Sequence, residues 1–318
     1  MSTAPIDWKA IKTLAFELDP FDGIPLDIEL PALPAAVTRF IERSEDPEAT
    51  ASELATIVET DSGMTAELLK HVNSARLNLL RTITSVAQAI AYLGIETTKV
   101  FVMTAGARAS LRSFNCRLIS PSCFWNESLQ RAVFSREISN RLVGNSDLAF
   151  AAALLQDFIL PVLTNAYPEK YKEYQRQEGQ WKSICDFERA TFGWDHAQAA
   201  AFVADQWIFP DELVCCIFHH HHIRAILKHP VLSNSVVMPV ALSGLLPSQL
   251  EQVWSGPETL ARLNTSSGFD LLEVSAIVDA QLEQAAQGKS LGFSLTEQLA
   301  PIVARSIEQN QATATVIT

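Results

Sequence analysis

The sequence predicts an all-α fold arranged as a two-lobed helical bundle, and three observations carry that prediction. Apolar residues recur at three-four spacing through nearly every periodic segment. Alternating strand patterns are absent, with Val and Ile sitting mainly inside helical repeats. Helix start and stop signals fall where the periodicity begins and ends.

In chain order, residues 1–24 form an N-terminal extension whose segment "IDWKAIKTLAFEL" is a short amphipathic helix. Ile6, Ile11, Leu14, Phe16 and Leu18 give it more apolar surface than a solvated arm needs, so it is expected to cap the first lobe or dock on a partner. The first lobe spans 25–111. "ATASELATIVETD" sets Leu54, Ile57 and Val58 on one face, and Thr50 with Glu53 makes a capping box. "SGMTAELLKHVNSA" repeats the pattern through Leu68, Leu69 and Val72, and "TSVAQAIAYLG" through Val86, Ile90 and Leu93, with Gly94 as a stop. Glu96 to Leu111, rich in Val, Met and Ala, reads as a buried helix.

Residues 112–124 lack periodicity and read as the connection to a second lobe, 125–285. Its helical pieces include "FWNESLQRAVFSREISNRLVG", "DLAFAAALLQDFILPVL", "DHAQAAAFVADQWIFP" and "DELVCCIFHHHH". In 286–318 a second capping box, Ser294 to Glu297, opens a short helix whose tail "NQATATVIT" is expected to fray.

Composition narrows the function. At 318 residues and 48% hydrophobic, the chain can bury one large core or two medium ones. Thirty-six acidic residues against 24 basic ones, a net charge of −12 and no Lys/Arg block argue against a nucleic-acid binder. No run of about 20 apolar residues reads as a membrane span, and the N-terminus lacks the pattern of a signal peptide. The cytoplasm is the expected location. Five cysteines without a CxxC pair read as reduced. A G-x-S-x-G elbow, a phosphate-cradling glycine loop and a G-x-G-x-x-G turn are all missing.

The stretch with most chemistry is "CCIFHHHHI", residues 215–223. On a helix Cys215 shares a face with His219, and Cys216 with His220. Thiolate and imidazole are zinc ligands, so the run is a metal site, the remnant of one, or a histidine-rich helix end. Flanking Val214, Ile217 and Phe218 favour a core role for the cysteines. Four consecutive histidines on a helix would point in all directions and stay half exposed. Asp157, inside a very apolar segment, needs amide donors or a cation such as Arg131.

"LPALPAAVTRFIE", "IVETDSGMTAELLKHVNSA" and "ITSVAQAIAYLG", followed by "FWNES", "LLQDFI", "FGWDHAQAAAFVADQW" and "CCIFHHH", resemble the HDOD family over residues 25–285. These are HD-related output domains of bacterial signalling proteins. Asp61, Asn73, Ser74 and Gly94 carry the family signature, with a structural role expected. The resemblance to HD phosphohydrolases implies vestigial metal-site positions. Glu127 stands where a first histidine belongs, Gln156 and Asp157 where a His-Asp pair belongs, then come His196 and His219 or His220. The last aspartate would fall near Ala241, in a segment without acids.

Those losses dismantle a two-metal, water-activating centre. Asp157, His196, His219 and His220 remain as a set that could hold one divalent metal, and no other cofactor is implied. The function implied is a non-catalytic regulatory or scaffold module that contacts a signalling protein partner. The alternatives are a nucleotide-binding sensor using the vestigial pocket and a residual metal-dependent phosphodiesterase.

Overall fold

The structure is a computed structural model. It describes residues 5–25, 28, 30, 32–73, 82–111, 118–177, 179–264, 269–285 and 294–316, with side chains to 309. Among these, regular structure is helical, apart from one isolated antiparallel bridge between Ser183 and Val253. The chain divides into a smaller unit, residues 29–114 with 204–209, and a larger unit, residues 1–28, 115–203 and 210–318.

Helix α1 (Trp8–Leu18) belongs to the larger unit. The smaller unit follows with α2 (Ala35–Ser44), α3 (Ala51–Val58), α4 (Ser62–Val72), α5 (Val86–Leu93) and α6 (Ile95–Leu111). Its core takes Val37, Phe40 and Ile41 from α2, Leu54 and Val58 from α3, Leu68 and Val72 from α4, Ile90 from α5, and Val102 and Met103 from α6. Gly106 lets α6 approach α2, since a Cβ there would lie 2.4 Å from Val37 Cγ2.

Local polar groups set the ends of these helices. Thr50 Oγ1 accepts from Glu53 N at 3.2 Å while Glu53 Oε2 accepts from Thr50 N at 3.0 Å, a complete capping box. Asp61 Oδ1 accepts from Met64 N at 3.0 Å and starts α4. Asn73 Nδ2 donates to the Leu69 and Ile83 carbonyls, and its Oδ1 accepts from Ile83 N, so the side chain ties the end of α4 to the strand of chain before α5. Ser74 lies outside the described residues. Gly94, at φ +83°, ends α5 in a conformation that favours glycine.

The larger unit continues with α7 (Pro121–Leu142), α8 (Ser146–Leu155), α9 (Leu160–Ala166), α10 (Pro168–Arg176), α11 (Ile184–Phe192) and α12 (His196–Gln206), whose last turn counts with the smaller unit. Then come α13 (Asp211–His219), α14 (Ile223–Ile226), α15 (Val237–Ser243), α16 (Gly256–Asn264), α17 (Leu271–Ala285) and α18 (Leu295–Val316). Helices α7, α8, α13 and α15 pack on one another and form the centre of this unit. The stretch Ser146–Ala166 has the length and mean hydropathy, 1.5, of a membrane span, but 89% of its apolar window is buried in the fold, as in a core segment. A turn at 156–159 interrupts it.

Three expectations are corrected. Residues 121–124, read as connection, are the first turn of α7, because Ser120 caps it and Pro121 suits the first helical position. The N-terminal helix, expected to cap the first lobe or dock on a partner, is part of the larger unit and packs on α13, through a 2.5 Å Lys12–Asp211 ion pair, a Phe16–Phe218 ring contact and a hydrogen bond from Cys215 Sγ to the Trp8 carbonyl. Only one stripe is used, so Leu14 and Leu18 stay exposed. The C-terminal helix is long rather than short. Leu295, Leu299 and Val303 are buried, α18 packs on α16 and α17, and Asp279 takes the amides of Leu295 and Thr296.

Candidate functional site

Three segments of the larger unit bring one carboxylate and three imidazoles together. The turn after α8 presents Asp157. His196 is the first residue of α12, placed there by a reciprocal cap in which Gln198 N donates to Asp195 Oδ1 and Asp195 N to Gln198 Oε1. Helix α13 stops at His219, and the chain turns with His222 N donating to the His219 carbonyl at 2.8 Å. Because of that turn His220 and His221 face the same point, which two consecutive residues on a helix could not do.

The atoms that converge are all potential acceptors. His220 Nδ1 lies 2.6 Å from the Ile217 carbonyl, which can only accept, so that nitrogen carries a proton, and in the neutral ring Nε2 is left with the lone pair. His196 Nδ1 lies 2.7 Å from Glu188 Oε2 and is a donor by the same logic. His196 Nε2 is 3.3 Å from His220 Nε2 and 3.1 Å from His221 Nε2, and Asp157 Oδ1 is 3.3 and 3.2 Å from the Nε2 atoms of His196 and His220. Asp157 Oδ1 makes no hydrogen bond, and His221 Nδ1 likewise has no partner among the described residues. Lone pairs packed this closely require a cation or a shared proton between them.

The proton answer is visible in the charge balance. Burial works against a charged His196 ring, yet the Glu188 carboxylate, together with Cys185 and Asp157, outweighs it and raises the imidazolium pKa well above the ordinary value. Burial and the neighbouring rings push His221 well below its ordinary value, so His221 is neutral. A single metal ion is the other answer, and the donor set fits it. Four of the six spacings, at 3.1–3.3 Å, match the edges of a tetrahedron with bonds of about 2 Å, whose edge is about 3.3 Å, and all four atoms lie within 4.8 Å of one another. Asp157, His196, His220 and His221 would hold one transition-metal ion, with Glu188 and the Ile217 carbonyl orienting two of the rings.

A second ion does not fit. Asp157 Oδ2 is taken by Arg131 Nη1 at 2.5 Å and by Gln156 Nε2 at 3.3 Å. Arg131 Nη2 donates in turn to Gln252 Oε1, and Ser243 Oγ to Gln156 Oε1. Burial opposes ionisation of Asp157, but the Arg131 guanidinium together with the His196 and His220 rings outweighs it and holds the carboxyl well below the usual range. Glu127, one turn before Arg131 on α7, accepts from Gln249 N at 2.9 Å and stands apart from the four-ligand set, its pKa raised by burial. Ala241, near which the last aspartate would fall, is buried on α15 and offers no ligand atom.

Of the residues singled out in the sequence, Asp157, His196 and His220 meet, while His219 turns away and pairs its Nδ1 with that of His222 at 3.4 Å. Burial lowers His219 to about 3, so it is a neutral ring. Cys215 and Cys216 are core residues, with thiols pushed up by burial. Sequence reasoning missed His221 and Glu188. Glu188 accepts from Tyr171 Oη at 2.7 Å, His196 N at 2.9 Å and His196 Nδ1 at 2.7 Å, all out of contact with solvent. Its signal was an acid on the apolar stripe of "ICDFERATF", in register with Ile184.

Comparison with known proteins gives the family and the fold. The sequence model of the HDOD domain matches residues 30–223, more than half of the chain. An uncharacterised protein of Treponema pallidum (strain Nichols) is 24% identical over 201 residues, which cover 61% of this chain. The chain spans 38% of that relative's length. An HDOD domain protein with unknown function from Geobacter sulfurreducens shares the fold at a TM-score of 0.56 and 20% identity, over 95% of this chain and 96% of that one. A candidate phosphohydrolase from Shewanella amazonensis SB2B is similar at a TM-score of 0.57 and 19% identity, over 89% and 94% of the two chains.

Proposed function

Because the chain belongs to the HDOD domain family, we propose that it is a non-catalytic signalling module of the cytoplasm, acting by contact with a protein partner. The observation that supports the non-catalytic reading is the guanidinium of Arg131 on Asp157, 2.5 Å apart with side chains 2% and 1% exposed. Hydrolysis at a metal centre needs an open position for an activated water. Here the one invariantly charged ligand is already paired, the second-ion ligands are replaced by Gln156 and Ala241, and His196 and His220 are shut off from solvent. A nucleotide sensor at this point is disfavoured by the same closure.

One divalent metal held by Asp157, His196, His220 and His221 belongs to this reading as a structural tie. When bound, it would supply a cross-link between three separate segments rather than a nucleophile. The signalling role rests on family membership, and the partner enters as a protein because no open ligand site remains at the centre.

The test is turnover. Untagged protein loaded with manganese, iron or zinc is assayed on cyclic dinucleotides and on bis-p-nitrophenyl phosphate, beside Asp157→Asn. No rate above the variant is expected. Hydrolysis that Asp157→Asn abolishes would overturn the reading. Affinity capture from the native cell should recover a specific partner, and its absence together with an unaltered deletion strain would count against the scaffold.

A further inference from the structure

A buried carboxylate needs a counter-charge, and a metal-binding centre ordinarily draws it from the ion. This centre has one of its own. Arg131 projects from α7 and divides its donors between Asp157 Oδ2 and Gln252 Oε1, while its Nε has no hydrogen bond among the described residues. Asp157 is thereby split into two faces. Oδ2 is occupied by the guanidinium and Gln156, and Oδ1 looks at the three rings. Arg131 also attracts Glu127, one helical turn earlier on α7, so both carboxylates that a second ion would use lie in the field of the same guanidinium.

We propose that Arg131 is a resident cation: it takes the counter-charge role of an ion at Asp157 Oδ2, so that the folded state does not depend on bound metal, and it limits the centre to one ion held through Oδ1. The inference rests on the non-catalytic reading of this centre and adds the residue that makes the reading physically stable. The guanidinium is part of the chain, so unlike a bound ion this charge is not removed by chelators.

The consequence is an exchange between guanidinium and metal. In Arg131→Met the stem is kept and the charge is lost, leaving Asp157 Oδ2 buried without its guanidinium partner. In EDTA the variant should melt about 10 °C below wild type. Zinc or manganese should then raise its Tm by more than it raises that of wild type, because the ion replaces the missing charge. Arg131→Met/Asp157→Asn removes both charges and should melt near wild type in EDTA, with the metal response gone.

Thermal melts of the three proteins in EDTA, zinc and manganese, with metal content by elemental mass spectrometry, decide the matter. Equal EDTA melting of wild type and Arg131→Met would overturn the proposal, as would a zinc response no larger in the variant. If Arg131→Met does not fold in EDTA, the double variant still decides: its recovery supports the resident cation and its failure sinks it. Turnover by the wild type would instead remove the non-catalytic reading and leave these melting differences untouched, so the two failures are distinguishable.

Discussion

Arg131 in the larger unit and Arg43 in the smaller each sit 2.5 Å from a carboxylate, and distance is all they share. Arg131 and Asp157 are 2% and 1% exposed in the larger unit, whereas Arg43 and Asp46 are 29% and 49% exposed in the smaller. Water solvates the second pair whether or not it forms, but the first pair has no substitute for its partner. At its helix ends the smaller unit uses polar residues locally: Thr50, Asp61 and Asn73 each satisfy neighbouring backbone. The larger unit pools them, so that Arg131, Asp157, His196, His220, His221 and Glu188 form one connected group in which removing any member strands another.

The largest effect beyond Arg131 should come from Glu188. Replacing it by Ala leaves Tyr171 Oη and two donors of His196 unpaired in the core and should cost about 3–5 kcal/mol in urea unfolding. Glu188→Gln isolates the charge. The folded pKa of His196 is raised above an unfolded value of about 6.5. Its contribution is therefore complete below that pH and is lost as pH rises through the folded value. Metal-free wild type should lose stability on the alkaline side, and Glu188→Gln should flatten that slope. An unchanged slope would mean that His196 does not hold the centre's proton.

The smaller unit should instead be broken through packing. Gly106→Ala drives a Cβ to 2.4 Å from Val37 Cγ2 and should cost about 1–3 kcal/mol. Val37→Ala opens the space, so the same glycine change should cost less in that background, and the double-mutant cycle measures the coupling. If Gly106→Ala matched Glu188→Ala in cost, packing and charge would not separate the two units as argued.

What the sequence made legible follows the same divide. Helices and caps of the smaller unit were readable because they are local: Thr50 and Glu53 are three residues apart, and Gly94 ends the helix beside it. The centre was readable only in part. Asp157, His196 and the Arg131 counter-ion could be singled out from the motif and from the cost of an acid in an apolar run. His221 could not, since no glycine or proline in "CCIFHHHHI" announces that the helix stops at His219. Glu188 stayed hidden because its partners lie 17 and 8 residues away. The side on which α1 packs was equally illegible, as periodicity defines an apolar stripe but not what covers it.

The smallest expected effect is the sharpest check on the comparison. Arg43 bonds Asp46 at 2.5 Å and Glu53 at 2.8 Å, a denser set of ion pairs than Arg131 makes. By count of contacts its loss should be the more damaging. By solvation it should be nearly silent, because all three side chains are partly exposed and salt screens them over about 8–10 Å. Arg43→Ala also leaves the Thr50–Glu53 cap intact, so α3 keeps its start. The urea midpoint of Arg43→Ala should match wild type within error, and any residual difference should vanish at about 1 M NaCl, where screening is nearly complete. A salt-insensitive loss approaching that of Arg131→Met would show that the Arg43 cluster behaves as a buried network. Burial, and not geometry alone, would then cease to explain why one arginine is structural and the other is surface decoration.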